Sequence, residues 1–216
     1  MVAFFYGGDT MIETRGLRFK DVVEYPDMMI NDVVMSFIVG RSGIGKSVLL
    51  KLLNSMYSVD DSMILIDNEE INDIDPITLR KDYLLCGQNV FLYPGTIREN
   101  FDSFYTMRKE ELLDDASILS FLSITSLDFP LDSKVDTMSG GERQRVFIAI
   151  MLSLARKVIM LDEPTSALDK ETGSIVMAQI KEYCFNKGLR AFVISHDESL
   201  VEMYQDQIIN LNKGDL

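Results

Sequence analysis

Short apolar runs alternate along this chain with longer segments whose apolar residues recur every three to four positions. The short runs are rich in β-branched residues and are predicted strands, whereas the periodic segments are predicted helices. Strands are expected at residues 33–39, 64–66, 83–86, 158–161, 191–194 and 207–211. Strands that alternate with helices in this way indicate an α/β fold with a mainly parallel sheet and crossover helices.

Three segments carry the helical period. The first follows strand 33–39 and places four apolar residues on one face, namely Leu49, Leu52, Leu53 and Met56. The second runs from about residue 106 to residue 127 and is expected to form a separate helical lobe. The third covers residues 170–186, and Gly188 is placed to end it, because glycine readily adopts the left-handed conformation that closes many helices.

The composition argues against several classes of function. With 47% hydrophobic and 25% charged residues, the 216-residue chain is typical of a globular protein of one or two domains. A net charge of −13 disfavours binding to nucleic acid or anionic lipid, since both depend on cationic side chains. No apolar run approaches the roughly 20 residues that span a bilayer. Cys86 and Cys184 form no disulfide-rich pattern, so a reducing cytosol is expected.

A glycine-rich turn separates strand 33–39 from the first helix. It reads Gly40-Arg41-Ser42-Gly43-Ile44-Gly45-Lys46-Ser47 and fits the phosphate-binding P-loop pattern in its expected strand-to-helix context. Glycines let several backbone N–H groups point at one anion, and the helix adds its positive N-terminal end. Lys46 is expected to reach the β- and γ-phosphates of a nucleoside triphosphate, and Ser47 to bind Mg²⁺. The alternative is a glycine-rich turn with an incidental lysine.

Two carboxylates follow the apolar run 158–161. Asp162 is expected at the carboxyl edge of the sheet, where ligands of α/β proteins gather, and it can hold Mg²⁺ directly or through water. Glu163 comes next and is suitably placed to orient or deprotonate an attacking water. A solvated turn is the alternative for this pair.

A second candidate anion site lies far along the chain. Four residues open a predicted helix there: Ser139, Gly140, Gly141 and Glu142. Free N–H groups, a hydroxyl and the positive end of the helix dipole would face an anion at this turn. A glycine-rich helix cap is the simpler alternative. A chain that already has one phosphate cradle, however, needs a reason for a second.

These runs resemble those of the ABC (ATP-binding cassette) ATPases. The run from Met138 to Arg145, MSGGERQR, is similar to the signature sequence of that family, with Glu142 where glutamine is commonest. The run from Leu161 to Asp169, LDEPTSALD, resembles the Walker B strand and the D-loop. A simple helix cap would not explain why both runs occur together with a P-loop.

Two further positions extend the resemblance. Gln88, which follows strand 83–86, matches the Q-loop of the family, and the Ser195-His196 pair after strand 191–194 matches its switch-histidine loop. A lone glutamine is otherwise a surface residue, and a lone histidine usually serves packing or lies at the surface. The motifs follow the family order and span residues 40–196, which is most of the chain.

The resemblance implies a P-loop NTPase of the ABC ATPase type. To the mainly parallel sheet core it adds a small antiparallel β region and an inserted helical subdomain at about residues 90–155. The ABC ATPase domain is expected to cover residues 11–216. Residues 1–10 are expected to be an N-terminal extension that is either disordered or precedes a true start at Met11.

The resemblance also implies roles for the matched residues. Four are implied to be catalytic: Lys46, Gln88, Glu163 and His196. Three are implied metal ligands: Ser47, Gln88 and Asp162. ATP and Mg²⁺ are the implied cofactors. The signature turn 139–142 of one subunit is implied to cap the ATP held by the P-loop of the other subunit, so that two subunits enclose two nucleotides.

The aromatic residue that stacks on the adenine is open between two candidates. In the family it precedes the first P-loop glycine by a little over twenty positions. Phe19 lies 21 positions before Gly40, and Tyr25 only 15. Tyr25 also precedes Pro26, which favours an extended kink. Phe19 is therefore expected to stack on the base, with core packing as the alternative for either ring.

The implied function is that of an ATP-hydrolysing subunit of an ABC transporter. Such a subunit works as a homodimer or with a paired cassette, without nucleic acid, on the cytoplasmic face of the membrane beside a separate integral membrane permease subunit. The alternative is a soluble ABC-type ATPase with a role in DNA repair or translation. It is disfavoured by the acidic charge, by the single cassette and by the lack of coiled-coil heptads or cysteine pairs between residues 40 and 139. The substrate and the direction of transport stay open.

Overall fold

The computed structural model describes residues 10–20, 22–58 and 63–212. Its strands, in chain order, are β1 (Thr10–Arg15), β2 (Arg18–Phe19), β3 (Val23–Glu24), β4 (Met28–Asn31), β5 (Met35–Val39), β6 (Met63–Ile66), β7 (Glu69–Glu70), β8 (Tyr83–Cys86), β9 (Val158–Asp162), β10 (Arg190–Ile194) and β11 (Gln207–Asn210). Residues 1–9 of the expected N-terminal extension lie outside the described residues, and Thr10 already belongs to β1.

The helices alternate with these strands. They are α1 (Lys46–Leu53), α2 (Pro76–Asp82), α3 (Ile97–Arg108), α4 (Asp115–Ile124), α5 (Gly140–Leu154), α6 (Lys170–Lys187) and α7 (Glu198–Tyr204), with a 3₁₀ turn at Val135–Thr137. The interval 90–155, expected to be the helical subdomain, contains α3, α4 and α5. Within the described ranges, none of the helices combines the length and the apolar composition that a bilayer crossing requires.

Two sheets carry the fold within the described residues. The larger has the strand order β11-β5-β10-β9-β8, and each neighbouring pair is parallel. The smaller has the order β4-β1-β6-β7 and is antiparallel, and β2 pairs with β3 in a separate hairpin. The predicted α/β class is confirmed, with its mainly parallel sheet and its small antiparallel region.

Most predicted elements are found close to their expected bounds. The six predicted strands correspond to β5, β6, β8, β9, β10 and β11, although β5 begins only at Met35. The helix expected at 170–186 is α6, and Gly188 closes it in the left-handed region with φ 67°. The prediction for Met56 is wrong, because α1 ends at Leu53 and the Met56 side chain is 53% exposed.

The helical pattern expected from about residue 106 to residue 127 is interrupted by a loop. This segment contains the end of α3 and the whole of α4, separated by a loop. Lys109 closes α3 in the left-handed conformation with φ 57°, and the Asp114 carboxylate caps α4 by accepting a hydrogen bond from Ser117 N. Leu112, whose spacing from the other apolar residues of this segment is helical, is 56% exposed in the loop. Local capping therefore overrides the leucine spacing.

The parallel sheet is covered on both faces, which explains its continuous apolar strands. On one side, Met35 and Phe37 of β5 pack in a core with α5, α6 and the helical lobe. On the other side, Ile38 of the same strand packs in a core with α1 and the antiparallel sheet. Every residue of β9 is buried. Packing on both faces of the sheet restricts the positions of these strands and of their ends.

The carboxyl ends of the central strands coincide. Ile194, the last residue of β10, is paired with Asp162, the last residue of β9, and on its other side with Ile38 of β5. Cys86, the last residue of β8, is paired with Leu161. The segments that follow these four strands therefore start side by side at one edge of the sheet, and each of them carries a predicted site residue.

Candidate functional site

The P-loop follows β5 and ends where α1 begins at Lys46. Its Gly45 is the N-cap of α1 and has φ 103°, a left-handed conformation that side chains rarely adopt. A Cβ added at Gly45 would lie 2.7 Å from the Tyr25 hydroxyl oxygen and 2.9 Å from Val23 Cγ1. Glycine is thus required at this position by the backbone conformation and by a close neighbour as well.

Tyr25 stabilises the P-loop through a side-chain hydrogen bond. Its hydroxyl donates a hydrogen bond of 2.8 Å to the Gly45 carbonyl oxygen, and the side chain is 3% exposed. Burial raises the pKa of this phenol above its usual value, so the hydroxyl keeps its proton as a donor. Sequence reasoning considered Tyr25 as a ring for adenine or for core packing and missed this contact, which joins residues 20 positions apart.

Lys46 lies over the P-loop backbone. Its Nζ donates hydrogen bonds to the carbonyl oxygens of Gly40 at 2.8 Å and Arg41 at 3.1 Å, and the residue is 7% exposed. Burial lowers the pKa of the ammonium group, against the attraction of Glu163 and Asp162. A buried cation at this turn suits a ligand that carries several negative charges, such as a triphosphate.

Asp162 and Ser47 bring hard oxygen atoms together at the sheet edge. The Ser47 side chain lies close enough to the Asp162 carboxylate to lower the pKa of that carboxyl, although burial, the larger effect, raises this pKa above its usual value. Hydroxyl and carboxylate oxygens are ligands that Mg²⁺ accepts. Among the described residues no group of three or more His, Cys, Asp or Glu side chains forms a metal cage. An ion here would take its remaining oxygens from water and from a bound ligand, as Mg²⁺ commonly does with nucleotide phosphates.

The Glu163 carboxylate contacts two side chains, which belong to residues that follow neighbouring strands. Gln88 Nε2, after β8, donates a hydrogen bond of 2.9 Å to Glu163 Oε2. His196 Nε2, after β10, lies 3.1 Å from Glu163 Oε1. Three of the four residues implied to be catalytic are therefore in direct contact. The carboxylate remains 24% exposed, which leaves room for a water molecule to approach it.

The signature turn begins α5. Ser139 is the N-cap, and a reciprocal capping box joins it to Glu142: Ser139 N donates to Glu142 Oε2 over 2.7 Å, and Glu142 N donates to Ser139 Oγ over 3.3 Å. Hydrogen bonds from the backbone N–H and from the side chain of Ser139 hold the pKa of the Glu142 carboxyl below its usual value. Ser139 and Gly140 are exposed. Within the part of the chain that the structure describes, the hydrogen bonds of this turn stay within α5 and its N-cap and do not reach the P-loop.

Phe19 and Tyr25 have different surroundings. The ring of Phe19 stacks on Tyr57 with centroids 4.8 Å apart, and Lys20 Nζ lies 5.2 Å from the Phe19 centroid. Phe19 is only partly buried, whereas Tyr25 is buried and its hydroxyl is engaged by Gly45. Of the two rings, Phe19 is the one with surface left for a planar ligand.

Gln144 is a residue whose role in the site sequence reasoning missed. It belongs to the signature helix α5 and contacts the backbone of Glu163 and Ala167 through its side-chain amide. Its place in the MSGGERQR run was the signal available in the sequence, but the run alone does not show which partners the amide finds.

A parallel sheet with a P-loop, a buried lysine and carboxylates at one edge defines a P-loop NTPase. The family model described as ABC transporter matches residues 26–166, well over half of the chain. The chain therefore belongs to the ABC transporter family, as an ATP-binding cassette of the ATPase type. The sequence-based identification is confirmed.

A curated relative shows how much of a larger protein this chain represents. The ATP-dependent lipid A-core flippase of Vibrio cholerae is 34% identical over 186 residues, which cover 83% of this chain and 31% of the flippase. The chain thus spans less than a third of the length of that relative.

Solved structures support the fold. CbiO1 from Clostridium perfringens, described as part of the ABC transporter complex cbiONQ, superposes with a TM-score of 0.81 at 24% identity, over 94% of this chain and 85% of that one. The ATP-binding cassette MJ0796, a dimer bound to ADP and Pi in a post-hydrolysis state, gives a TM-score of 0.76 at 25% identity, over 94% of each chain.

Proposed function

We propose that this cassette hydrolyses ATP as one of two subunits that enclose two nucleotides, and that it drives a separate integral membrane permease from the cytoplasmic face of the membrane. The observation that carries the proposal is the contact of Gln88 and His196 with the two oxygens of Glu163. This contact places a partly exposed carboxylate beside the strand end that carries Asp162, at the edge from which the P-loop also starts.

Glu163 is the proposed general base. In the proposed step a water oxygen forms a bond to the γ-phosphorus of ATP, and the water proton passes to the Glu163 carboxylate. The bond between the γ-phosphorus and the β–γ bridging oxygen breaks, and ADP keeps the electron pair. A positioned base of this kind contributes about 10²–10⁴-fold to the rate. His196 and Gln88 orient the carboxylate, and His196 is also proposed to contact the γ-phosphate.

The P-loop backbone from Gly40 to Gly45 and Lys46 are proposed to hold the β- and γ-phosphates. Ser47, Asp162 and Gln88 are proposed to hold Mg²⁺, whose charge would neutralise phosphate oxygens in the transition state. The pairing of Ser47 with Asp162 supports this assignment, because it brings two suitable oxygens to one place.

The signature turn 139–142 is proposed to cap the γ-phosphate in the other subunit of a homodimer or of a pair with a second cassette. The turn supports this role because its Ser139 hydroxyl and the N-terminal end of the 15-residue helix α5 are exposed. Its hydrogen bonds within the described chain do not reach the P-loop of its own subunit. The dimeric state named for MJ0796 is consistent with such a pair.

Phe19 is proposed to stack on the adenine. The partly exposed ring already lies parallel to Tyr57 within 23°, so a planar base could continue the stack. Tyr25, in contrast, is proposed to serve the P-loop only, because its ring is buried and its hydroxyl is occupied.

The membrane role rests on the family and on relatives that act in membranes, such as the flippase of Vibrio cholerae. The test is purification of the tagged chain, after mild crosslinking, from the cells that produce it, followed by identification of its partners by mass spectrometry. We expect an integral membrane protein in a fixed ratio to the cassette. Full ATPase activity from a monomeric chain without any membrane partner would contradict the proposal.

A further inference from the structure

Gln144 is a buried amide at the junction of two functional segments. It lies in the second turn of α5 and is 5% exposed. Its Nε2 donates to the Glu163 carbonyl oxygen at 3.1 Å and lies 3.5 Å from Ser166 Oγ, and its Oε1 accepts from Ala167 N at 3.2 Å. All these partners belong to the turn that follows β9.

The backbone that Gln144 contacts has an unusual conformation. Glu163 has φ 55°, in the left-handed region that a residue with a Cβ rarely adopts. Glu163 N donates to Ile194 O at 3.0 Å, and its carbonyl oxygen accepts from Ser166 N at 3.2 Å as well as from Gln144. Because the side-chain direction follows from the backbone angles, these bonds determine where the Glu163 carboxylate points.

A second contact joins α5 to the same turn. A Cβ added at Gly141 would lie 2.9 Å from the Ala167 carbonyl oxygen and 3.1 Å from Leu168 Cδ2. Residues 141 and 144 are three positions apart and lie on one face of the helix. The absence of a side chain at Gly141 therefore lets α5 approach the turn after β9 closely. Gln144 then forms hydrogen bonds between the two segments.

We propose that Gln144 is a positioning residue for ATP hydrolysis, which joins the signature turn at the start of α5 to the backbone of Glu163 in the same subunit. The inference rests on the function proposed above for Glu163 and the signature turn. When the signature turn contacts a nucleotide in the partner subunit, any displacement of α5 acts directly on the residue that holds the base of its own site. Gln144 itself contacts neither water nor phosphate.

If Gln144 positions the base, its substitution should lower kcat but should change the affinity for ATP much less. Gln144→Met keeps the length of the side chain and removes both hydrogen bonds. Gln144→Glu keeps an acceptor for Ala167 N but removes the donor to the Glu163 carbonyl. We expect both variants to lower kcat about 10–100-fold, because a displacement of about 1 Å at a reacting group can cost 10²-fold. The dissociation constant for ATP should change less than about threefold, because the P-loop is untouched.

Asn100 provides a matched control. It is 0% exposed, and its amide, like that of Gln144, bonds to the backbone, here to Tyr93 N at 2.8 Å, Tyr93 O at 3.1 Å and Thr96 O at 2.9 Å. These bonds lie at the start of α3 and do not reach Glu163. Asn100→Leu should lower the melting temperature as much as the Gln144 variants do, while kcat per ATP-binding site stays within about threefold of the parent.

The experiment measures kcat, the dissociation constant and stoichiometry of ATP, and the melting temperature for all variants, with Glu163→Gln run in parallel. Loss of kcat at full binding stoichiometry in at least one Gln144 variant, with turnover kept in Asn100→Leu, supports the inference. Normal kcat in both Gln144 variants, or equal loss in Asn100→Leu, overturns it. If Gln144→Met does not fold, Gln144→Glu alone decides. Full activity of Glu163→Gln would instead reject the proposed function.

Discussion

His196 Nε2 lies 3.1 Å from Glu163 Oε1, on the opposite side of the carboxylate from Gln88, so that each carboxylate oxygen has its own partner. Glu163→Gln should keep this geometry while removing the proton acceptor. We expect kcat to fall about 10²–10⁴-fold with ATP binding intact, because the variant loses only the contribution of a general base. The ATP-bound dimer should then accumulate and be visible by light scattering.

Glu171→Gln is the control for this change, because Glu171 is an exposed carboxylate in the first turn of α6. Its ATPase rate should match that of the parent. A Glu163→Gln variant with a near-normal rate would mean that another group takes the proton.

Ser139→Arg should block both hydrolysis and ATP-driven dimerisation. The large cation would occupy the space in which the proposed partner nucleotide meets the start of α5, and it would also remove the cap that Ser139 Oγ gives to Glu142 N. Analytical ultracentrifugation with ATP checks the dimer, in a background that carries Glu163→Gln to prevent turnover.

Ser120→Arg, on the exposed surface of α4, is the matched control and should leave dimerisation unchanged. Normal ATPase activity from dilute protein that remains monomeric would show that one chain completes its own site, which contradicts the composite arrangement.

Phe19→Ala should weaken ATP binding about 5- to 150-fold. An aromatic face under a base is worth about 1–3 kcal/mol, by analogy with nucleic-acid sites. The rate at saturating ATP should change less, because the γ-phosphate groups are unaffected. Equilibrium binding of ATP and of inorganic triphosphate, which has no base, separates the contribution of the base from that of the phosphates. Only the binding of ATP should be weakened.

Tyr25→Phe is the companion variant, since it keeps the ring and removes only the donor to Gly45. It should destabilise the fold by about 0.5–1.5 kcal/mol, the usual net contribution of one hydrogen bond, because the Gly45 carbonyl still accepts from Leu49 N. It should affect ATP and triphosphate equally. A specific loss of base recognition in Tyr25 variants, with Phe19→Ala unaffected, would reverse the assignment.

Glu142→Gln should reveal a pH-dependent contribution of the capping box to stability. A carboxyl whose pKa is depressed in the folded state stabilises the fold above its pKa in the unfolded chain, about 4.3. That contribution is lost as the pH falls through the folded-state pKa. The variant keeps an acceptor for Ser139 N but loses the charge near the helix N-terminus, which is worth about 0.3–1 kcal/mol at low salt.

The melting temperatures of the parent and of Glu142→Gln should therefore differ at pH 7 and converge as the pH falls through the folded-state pKa of Glu142. High salt should reduce the difference at pH 7, because the site is partly exposed to solvent. A difference that stays constant from pH 7 to pH 3 would assign the effect to packing instead of charge.

The sequence predicted those features that depend on neighbouring residues. The buried strands β9 and β10 follow from their continuous apolar runs, and the P-loop follows from its glycines between a strand and a helix. The helix break at Lys109 was missed because the leucine spacing continues through it, whereas the Asp114 cap that restarts the chain as α4 carries only a local signal.

The contacts that hold the site could not be predicted in this way. Tyr25 reaches Gly45 only because β3 and α1 pack together, and Gln144 reaches Glu163 only because α5 packs against the turn after β9. Neither pair is fixed by a periodic pattern, since hydrogen bonds between distant residues depend on the tertiary arrangement. The family resemblance identified the residues at the site, and the structure added those that support them.

The strand order β10-β9-β8 has a mechanical consequence for Glu163. The carboxylate follows the middle strand, and its two partners follow the strands on either side, about 5 Å away in each direction. A shift of the segment after β8 by a few ångströms would break the Gln88 bond and leave the His196 bond intact, while a shift of the segment after β10 would do the reverse. The two bonds therefore respond to displacements of different parts of the molecule. A spectroscopic label beside Gln88 and another beside His196 would distinguish these displacements during turnover.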